Sequence, residues 1–255
     1  NLQNIPTRTE LGSQLRRMFT APESCVLVDA DYSQIELRLL AHIAGDAEMQ
    51  AAFRSGADFH TVTASRVFHV PPEEVTPEMR RRAKAVNFGI VYGISAFSLA
   101  QDIGVSVAEA KAYMERYFET YQGVRQYMTD VVAKAEQDGY VQTLMHRRRA
   151  LPELKSSNFN LREFGKRVAL NMPVQGTAAD IMKLAMVRVH RRLKREGLRA
   201  RLLMQVHDEL IVECPASERE QVERLLTEEM EQAVSLSVPL IAEAHSGKNW
   251  LAAKE

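Results

Sequence analysis

Two carboxylate positions have the neighbours that phosphoryl chemistry requires. Asp31 follows the apolar run Val26-Leu27-Val28 and the pair Asp29-Ala30. It precedes an apolar-periodic stretch, Ile35, Leu37, Leu39, Leu40 and Ile43, so it stands where a strand hands over to a helix. Asp208 stands with Glu209 between Leu202-Leu203-Met204-Gln205-Val206 and Leu210-Ile211-Val212, at the tip of a β-hairpin. Only tertiary structure could unite the two. Carboxylate oxygens suit Mg²⁺, which is usually held by one or two carboxylates plus substrate phosphates. A pair of such ions can clamp the attacking and leaving oxygens of an in-line displacement. An isolated Asp at a strand end is otherwise a turn or cap residue.

A second constellation is Arg80, Lys84, Phe88 and Tyr92, spaced by four and therefore on one slowly drifting side of a helix. Two cations followed by two aromatics can meet a nucleotide end to end, phosphates on Arg80 and Lys84, base and sugar against Phe88 and Tyr92. Lys84 could also protonate pyrophosphate. The bland alternative for the aromatics is core packing. Ser33-x-x-Glu36 reads as a capping box for the helix after Asp31.

The elements that must hold these groups follow from periodicity and punctuation. The helix after Asp31 stops at Gly45, and the chain from there to about residue 139 reads as almost wholly helical. Thr76-Pro77-Glu78 opens one helix, Ser106 with Glu109 caps the next, and Gly139 ends the run. Residues 140–144 read as a strand. Residues near 160–172 and 176–196 read as two helices parted by Pro173. After the hairpin, a helix from Ser217, boxed by Glu220, leads to a last strand near residues 238–242. This order predicts an α+β fold, with a mostly helical subdomain inserted into a sheet-based one.

Composition sets the outer bounds. With 255 residues, 45% of them hydrophobic and 26% charged, the chain suits one large domain or two tightly joined ones. Its 33 basic and 33 acidic residues cancel, which argues against a generally basic coat for nucleic acid. The basic residues are nevertheless bunched, as in Arg80-Arg81-Arg82-Ala83-Lys84 and Arg147-Arg148-Arg149, and a phosphate responds to charges within about 8 Å in physiological salt. Cys25 and Cys214 read as small apolar residues in a reducing compartment. No apolar run reaches the length of a membrane span. The opening Asn1-Leu2-Gln3-Asn4-Ile5-Pro6 is not a signal peptide and lacks an initiator Met, which suggests a fragment or a processed product.

Four stretches resemble the DNA polymerase I family, the family A DNA polymerases. Asp31-Tyr32-Ser33-Gln34-Ile35-Glu36-Leu37-Arg38 is similar to motif A. The run from Arg80 through Lys84, Asn87, Phe88 and Gly89 to Tyr92-Gly93 is similar to motif B. Gln205-Val206-His207-Asp208-Glu209 is similar to motif C, and Asn171-Met172-Pro173-Val174-Gln175-Gly176-Thr177 is a further signature. They occur in the family's order, and the likeness runs from Asn1 to Lys254.

The resemblance implies an antiparallel palm sheet with packed helices and an inserted, mostly helical fingers subdomain. Palm would occupy residues 1–36 and 160–255, and fingers residues 37–159. It implies template-directed DNA synthesis from dNTPs on primer-template DNA, in replication and repair. Two Mg²⁺ ions, with Mn²⁺ as a substitute, would be held by Asp31 and Asp208, with the Tyr32 carbonyl as an extra ligand. Glu209 would serve from outside the metal's own ligands. Arg80, Lys84, Phe88, Tyr92, His60 and Gln34 would bind the nucleotide, and Glu36 would block a ribose 2′-hydroxyl. Arg167, Asn171, Gln175 and His207 would touch the minor groove of the primer end. Acceptors there recur in similar places for every correct pair. The resemblance further implies a monomer of the bacterial cytoplasm and nucleoid, with thumb and exonuclease domains upstream of Asn1.

Two departures stand out: Asp29 replaces a small residue, and Met145-His146 replaces a Phe-Gly or similar pair. Asp29 should share a strand face with Asp31, as an outer carboxylate or as a solvated or hydrogen-bonded one. Two other readings compete. A single-subunit RNA polymerase shares the three-motif logic, but Glu36 and His207-Asp208-Glu209 argue against it. A palm–fingers portion without a thumb could bind nucleotide or DNA with little turnover.

Overall fold

The computed structural model describes residues 2–5 and 10–254, so Asn1 and Pro6 of the opening stretch lie outside the described residues. In chain order the elements are α1 (Glu10–Gln14), β1 (Cys25–Tyr32), α2 (Ile35–Ala44), α3 (Ala47–Arg54), α4 (Phe59–Phe68), α5 (Pro77–Val91), α6 (Ala96–Ile103), α7 (Val107–Thr120), α8 (Gln122–Asp138), β2 (Tyr140–Gln142), β3 (Arg148–Ala150), α9 (Phe159–Arg195), β4 (Arg201–Val206), β5 (Glu209–Pro215), α10 (Arg219–Glu231) and β6 (Ala242–Gly247). They form the expected α+β fold, divided into two compact units. One comprises residues 1–35, 178–235 and 240–255; the other comprises residues 36–177 and 236–239.

The first unit is built on an antiparallel sheet in the order β4-β5-β1-β6. Alternation along β1 divides its side chains between two faces. Val28, Ala30 and Tyr32 are buried on one face, where the Tyr32 hydroxyl donates to the Met230 carbonyl of α10 at 2.6 Å. Leu27, Asp29 and Asp31 share the other. Leu27 packs there with Val206, Ile211, Trp250 and Ala253, and Phe19 meets the Trp250 ring edge-on at 5.5 Å. Cys25 and Cys214 are unpaired thiols on adjoining strands.

The second unit is helical apart from the β2–β3 hairpin. Local signals set its boundaries. Thr76 accepts from the Met79 N–H, Ser106 and Glu109 form the reciprocal capping box, and Gly139 closes α8 in the left-handed region. A buried polar chain ties α4 to α5. Thr63 Oγ1 donates to Asn87 Oδ1 at 3.1 Å, and Asn87 Nδ2 lies 2.9 Å from His60 Nδ1. The hairpin lies against α9 where Gly176 leaves room: a Cβ there would meet the Thr143 methyl at 2.7 Å. Thr177 Oγ1 accepts from the Leu144 N–H beside it.

Five sequence expectations are corrected. α9 is one helix, with Pro173 inside it. An interior proline costs about 3 kcal/mol, but Ala169, Pro173, Val174 and Thr177 are all buried here, and that packing carries the helix through. The helix after Asp31 starts at Ile35, and the Glu36 carboxylate accepts from the Tyr92 hydroxyl rather than from the Ser33 N–H, which donates to the Ile241 carbonyl. Ser217 caps nothing, because it lies within a 3-10 turn, Ala216–Glu218, and α10 begins after it. The last strand is Ala242–Gly247, displaced from the more apolar residues 238–242, because its register on β1 is set by backbone pairing. The strand after Gly139 also ends early, at Gln142.

Candidate active site

Antiparallel register assembles the acidic site of the first unit. Asp31 pairs with Glu209 on β5 and with Glu243 on β6, and Asp29 pairs with His245. Paired residues share a face, so one end of the sheet gathers four carboxylates. Asp208 joins from the hairpin tip, where its carbonyl accepts from the Tyr32 N–H at 3.1 Å. Both ends of this junction pass through left-handed backbone without glycine, Gln34 at φ 54° and His207 at φ 51°. Such strained conformations cluster at functional sites. His207 Nε2 lies 3.0 Å from the Gln3 carbonyl, and Gln205 Nε2 donates to the His207 carbonyl at 2.6 Å.

The carboxylates differ in surroundings. Burial, and then the charge of Asp208, push Asp31 up to about 6, against the pull of Lys254. Asp29 is 2% exposed and accepts from Trp250 Nε1 at 3.1 Å; burial and the Glu209 charge push it up to about 7. Asp29 is thus a buried, hydrogen-bonded acid rather than a solvated one. Glu209 is buried between two cations, with Arg16 Nη1 3.5 Å from Oε1 and Lys254 Nζ against Oε2. Lys254 Nζ also lies 3.6 Å from Asp31 Oδ2, and the Arg16 guanidinium sits 4.1 Å over the Trp250 ring. Arg16, Trp250 and Lys254 were missed in the sequence; a lone Trp four residues before a Lys was the only signal.

This donor set fits a divalent cation. Asp31 and Asp208 repel each other, which a dication would relieve, and the buried Gln34 Oε1 in the same cavity as Asp31 has no hydrogen-bond partner among the described residues. Among the described residues no three His, Cys, Asp or Glu side chains converge closely enough to hold an ion alone. Two carboxylates completed by substrate oxygens match the usual Mg²⁺ arrangement.

The second unit brings together most of the expected nucleotide residues. Tyr92 follows α5 and donates its hydroxyl to Glu36 Oε2 at 2.6 Å, while Asn171 Nδ2 donates to the Tyr92 carbonyl at 3.5 Å. Phe88, Tyr92 and Arg167 line one cavity. The Phe88 ring lies 5.7 Å from that of His60. His60 itself is 3% exposed, and burial lowers it to about 4. Thr63 donates to the Asn87 oxygen, so the Asn87 amide donates to His60 Nδ1; this assigns a neutral imidazole with its proton on Nε2. Arg80 forms a bidentate pair with Asp58, at 3.0 and 2.8 Å, while Lys84 and Gln175 are exposed.

A family model for DNA polymerase family A matches residues 1–252. The chain belongs to DNA polymerase family A. Among its relatives, the DNA polymerase I of Bacillus caldotenax is 56% identical and that of Bacillus subtilis (strain 168) 55% identical, each across 100% of this chain. The chain spans 29% of the length of those relatives. A solved structure of the POL domain of Pol1 from M. smegmatis, in complex with DNA primer-template and dNTP, superposes with a TM-score of 0.95 at 50% identity. It covers 100% of this chain and 45% of that one. Family membership explains why the motifs stand in this order. No helix of the described residues is long and apolar enough to cross a membrane.

Proposed function

We propose that this chain carries the catalytic palm and fingers of a DNA polymerase, and that it transfers a nucleotidyl group from a dNTP to a primer 3′-hydroxyl on primer-template DNA. The observation that carries the reading is the meeting of Asp31 and Asp208 at one end of an antiparallel sheet, in a family A chain. Asp31 and Asp208, with the Tyr32 carbonyl, would hold two divalent ions, Mg²⁺ or Mn²⁺. The bound metal supplies positive charge that acidifies the 3′-hydroxyl and offsets the charge of the leaving pyrophosphate. Glu209, with both oxygens engaged, acts from outside that set.

Arg80 and Lys84 receive the triphosphate, and Lys84 protonates the pyrophosphate. For Arg80 this means exchanging the Asp58 carboxylate for phosphate oxygens, a like-for-like swap of anions. His60 offers a neutral Nε2–H, so its contribution is a hydrogen bond rather than a charge. Phe88 and Tyr92 take the base and sugar, Gln34 assists, and Glu36, pinned by Tyr92, excludes a 2′-hydroxyl. Arg167, Asn171, Gln175 and His207 test base-pair geometry from the minor groove.

In the full-length protein, Asp31→Ala or Asp208→Ala lowers primer extension by about a thousand-fold or more. Near-normal extension by either variant removes the metal assignment. Glu36→Ala admits ribonucleotides, and unchanged sugar selectivity in a competition assay would leave Glu36 only a partner for Tyr92. A second reading, a chain that binds DNA and nucleotide with little turnover, is favoured by its span of 29% of its relatives. Primer extension by the 255-residue chain separates the two.

A further inference from the structure

Glu209 is the carboxylate that stands nearest the proposed metal pair in sequence and in sheet register. It follows Asp208 in the chain, pairs with Asp31 across the β1–β5 ladder and shares its face. What sets it apart is that both its oxygens are occupied by cations from distant parts of the chain. Arg16 lies beneath, 6% exposed and flat against Trp250. Lys254 comes from the solvent side, and its ammonium stands between Glu209 and Asp31.

Lys254 is brought there by construction. It ends the 3-10 turn Ala252–Lys254, and that turn lies directly on β6 because residue 247 is glycine. A Cβ on Gly247 would sit 2.6 Å from the Ala252 carbonyl carbon. Trp250, fully buried and hydrogen-bonded to Asp29, fastens the approach.

We propose that Lys254 is a positioning residue that keeps Glu209 out of the metal's ligand set, so that the site answers to Asp31 and Asp208 alone. The inference rests on the metal reading above. Metal affinity rises with the number of charged ligands, and a third carboxylate would hold an ion too tightly and in the wrong place for exchange with substrate. A lysine suits the task, because its flexible stem lets the ammonium stay on Glu209 when a dication takes its place beside Asp31.

The test is Mn²⁺ binding to the DNA-free 255-residue chain, followed by electron paramagnetic resonance of free Mn²⁺, with thermal melting as the check on folding. Lys254→Met is expected to bind Mn²⁺ about five-fold tighter or more, Lys254→Arg to stay near wild type, and Lys254→Met/Glu209→Gln to return to wild type. Glu209→Gln alone should leave Mn²⁺ affinity unchanged. Unchanged or weaker Mn²⁺ binding by a normally melting Lys254→Met variant overturns the proposal. So does weaker binding by Glu209→Gln, which stays readable if Lys254→Met fails to fold. Asp31→Ala separates the two levels. Mn²⁺ binding that survives it refutes the metal reading itself, whereas Asp31-dependent binding indifferent to Lys254 refutes only the role of Lys254.

Discussion

The sheet end of the first unit and helix α5 of the second both concentrate charge, but they hold it in opposite ways. At the sheet end, acids are crowded into a partly buried corner, and their counter-charges, Arg16 and Lys254, are packed in with them. Along α5, the cations are exposed or half-buried, and Arg80, Arg81 and Arg82 rest on surface acids, Asp58 and Glu78, that solvent or another anion can replace. Buried pairs are costly to break, while exposed ones contribute about 0–1 kcal/mol. Under the proposed function, the difference becomes a division of labour: a fixed set of oxygens where position matters, and a loosely tethered set of cations where a charged ligand would come and go.

The contrast can be broken at its exchangeable end first. Lys84→Ala should lower kcat/KM for dNTP by about a hundred-fold, while melting stays near wild type because the side chain is exposed. A large loss of stability instead would make Lys84 a structural charge.

The second test uses pH, in EDTA. Asp29 sits above its ordinary value, at about 7, so the folded sheet unit binds the proton more readily than the unfolded chain; its stability falls as pH rises from about 4 to 7. His60 sits below its ordinary value, at about 4, so the folded helical unit resists protonation; its stability is full above pH 6.5 and falls as pH drops toward 4. Asp29→Asn should therefore stabilise most at pH 8, and His60→Gln should flatten the acid limb, each by about 2 kcal/mol. Urea unfolding at pH 5 and 8 measures both, and parallel pH dependences in the two variants would erase the contrast.

The smallest effect is local. His146 adopts φ 62°, in the left-handed region that favours glycine, and the turn survives because Thr143 Oγ1 accepts from the Met145 and Arg147 N–H groups. His146→Gly should stabilise the hairpin by about 0.5–1 kcal/mol. Chemical denaturation measures it, and no gain would mean that the histidine side chain offsets its own strain.

What could be read in the sequence was whatever local chemistry decides. The Thr76 and Ser106 caps, the Gly139 stop, the hairpin before Glu209 and the junction at Asp31 all follow from residues within a few positions of each other. What could not be read depends on distant partners. Pro173 breaks helices in general, yet buried neighbours hold α9 together. Val238 and Leu240 look like strand residues, but they are buried as connecting chain, and the more polar Ala242–Gly247 forms β6. Glu36 fits a cap but finds Tyr92. Lys254 is an ordinary lysine until the sheet register places Glu209 and Asp31 beside it.

Gly247 has a practical consequence for anyone handling this protein. Because the backbone of Ala252 rests where a side chain would otherwise be, the turn that carries Lys254 fits against β6 with no slack. A handle inserted within the turn Ala252–Lys254 would displace Lys254 along with it. Purification handles and surface linkers therefore belong elsewhere, for instance on the exposed face of α7, where Lys111 and Glu115 form only a loose surface pair.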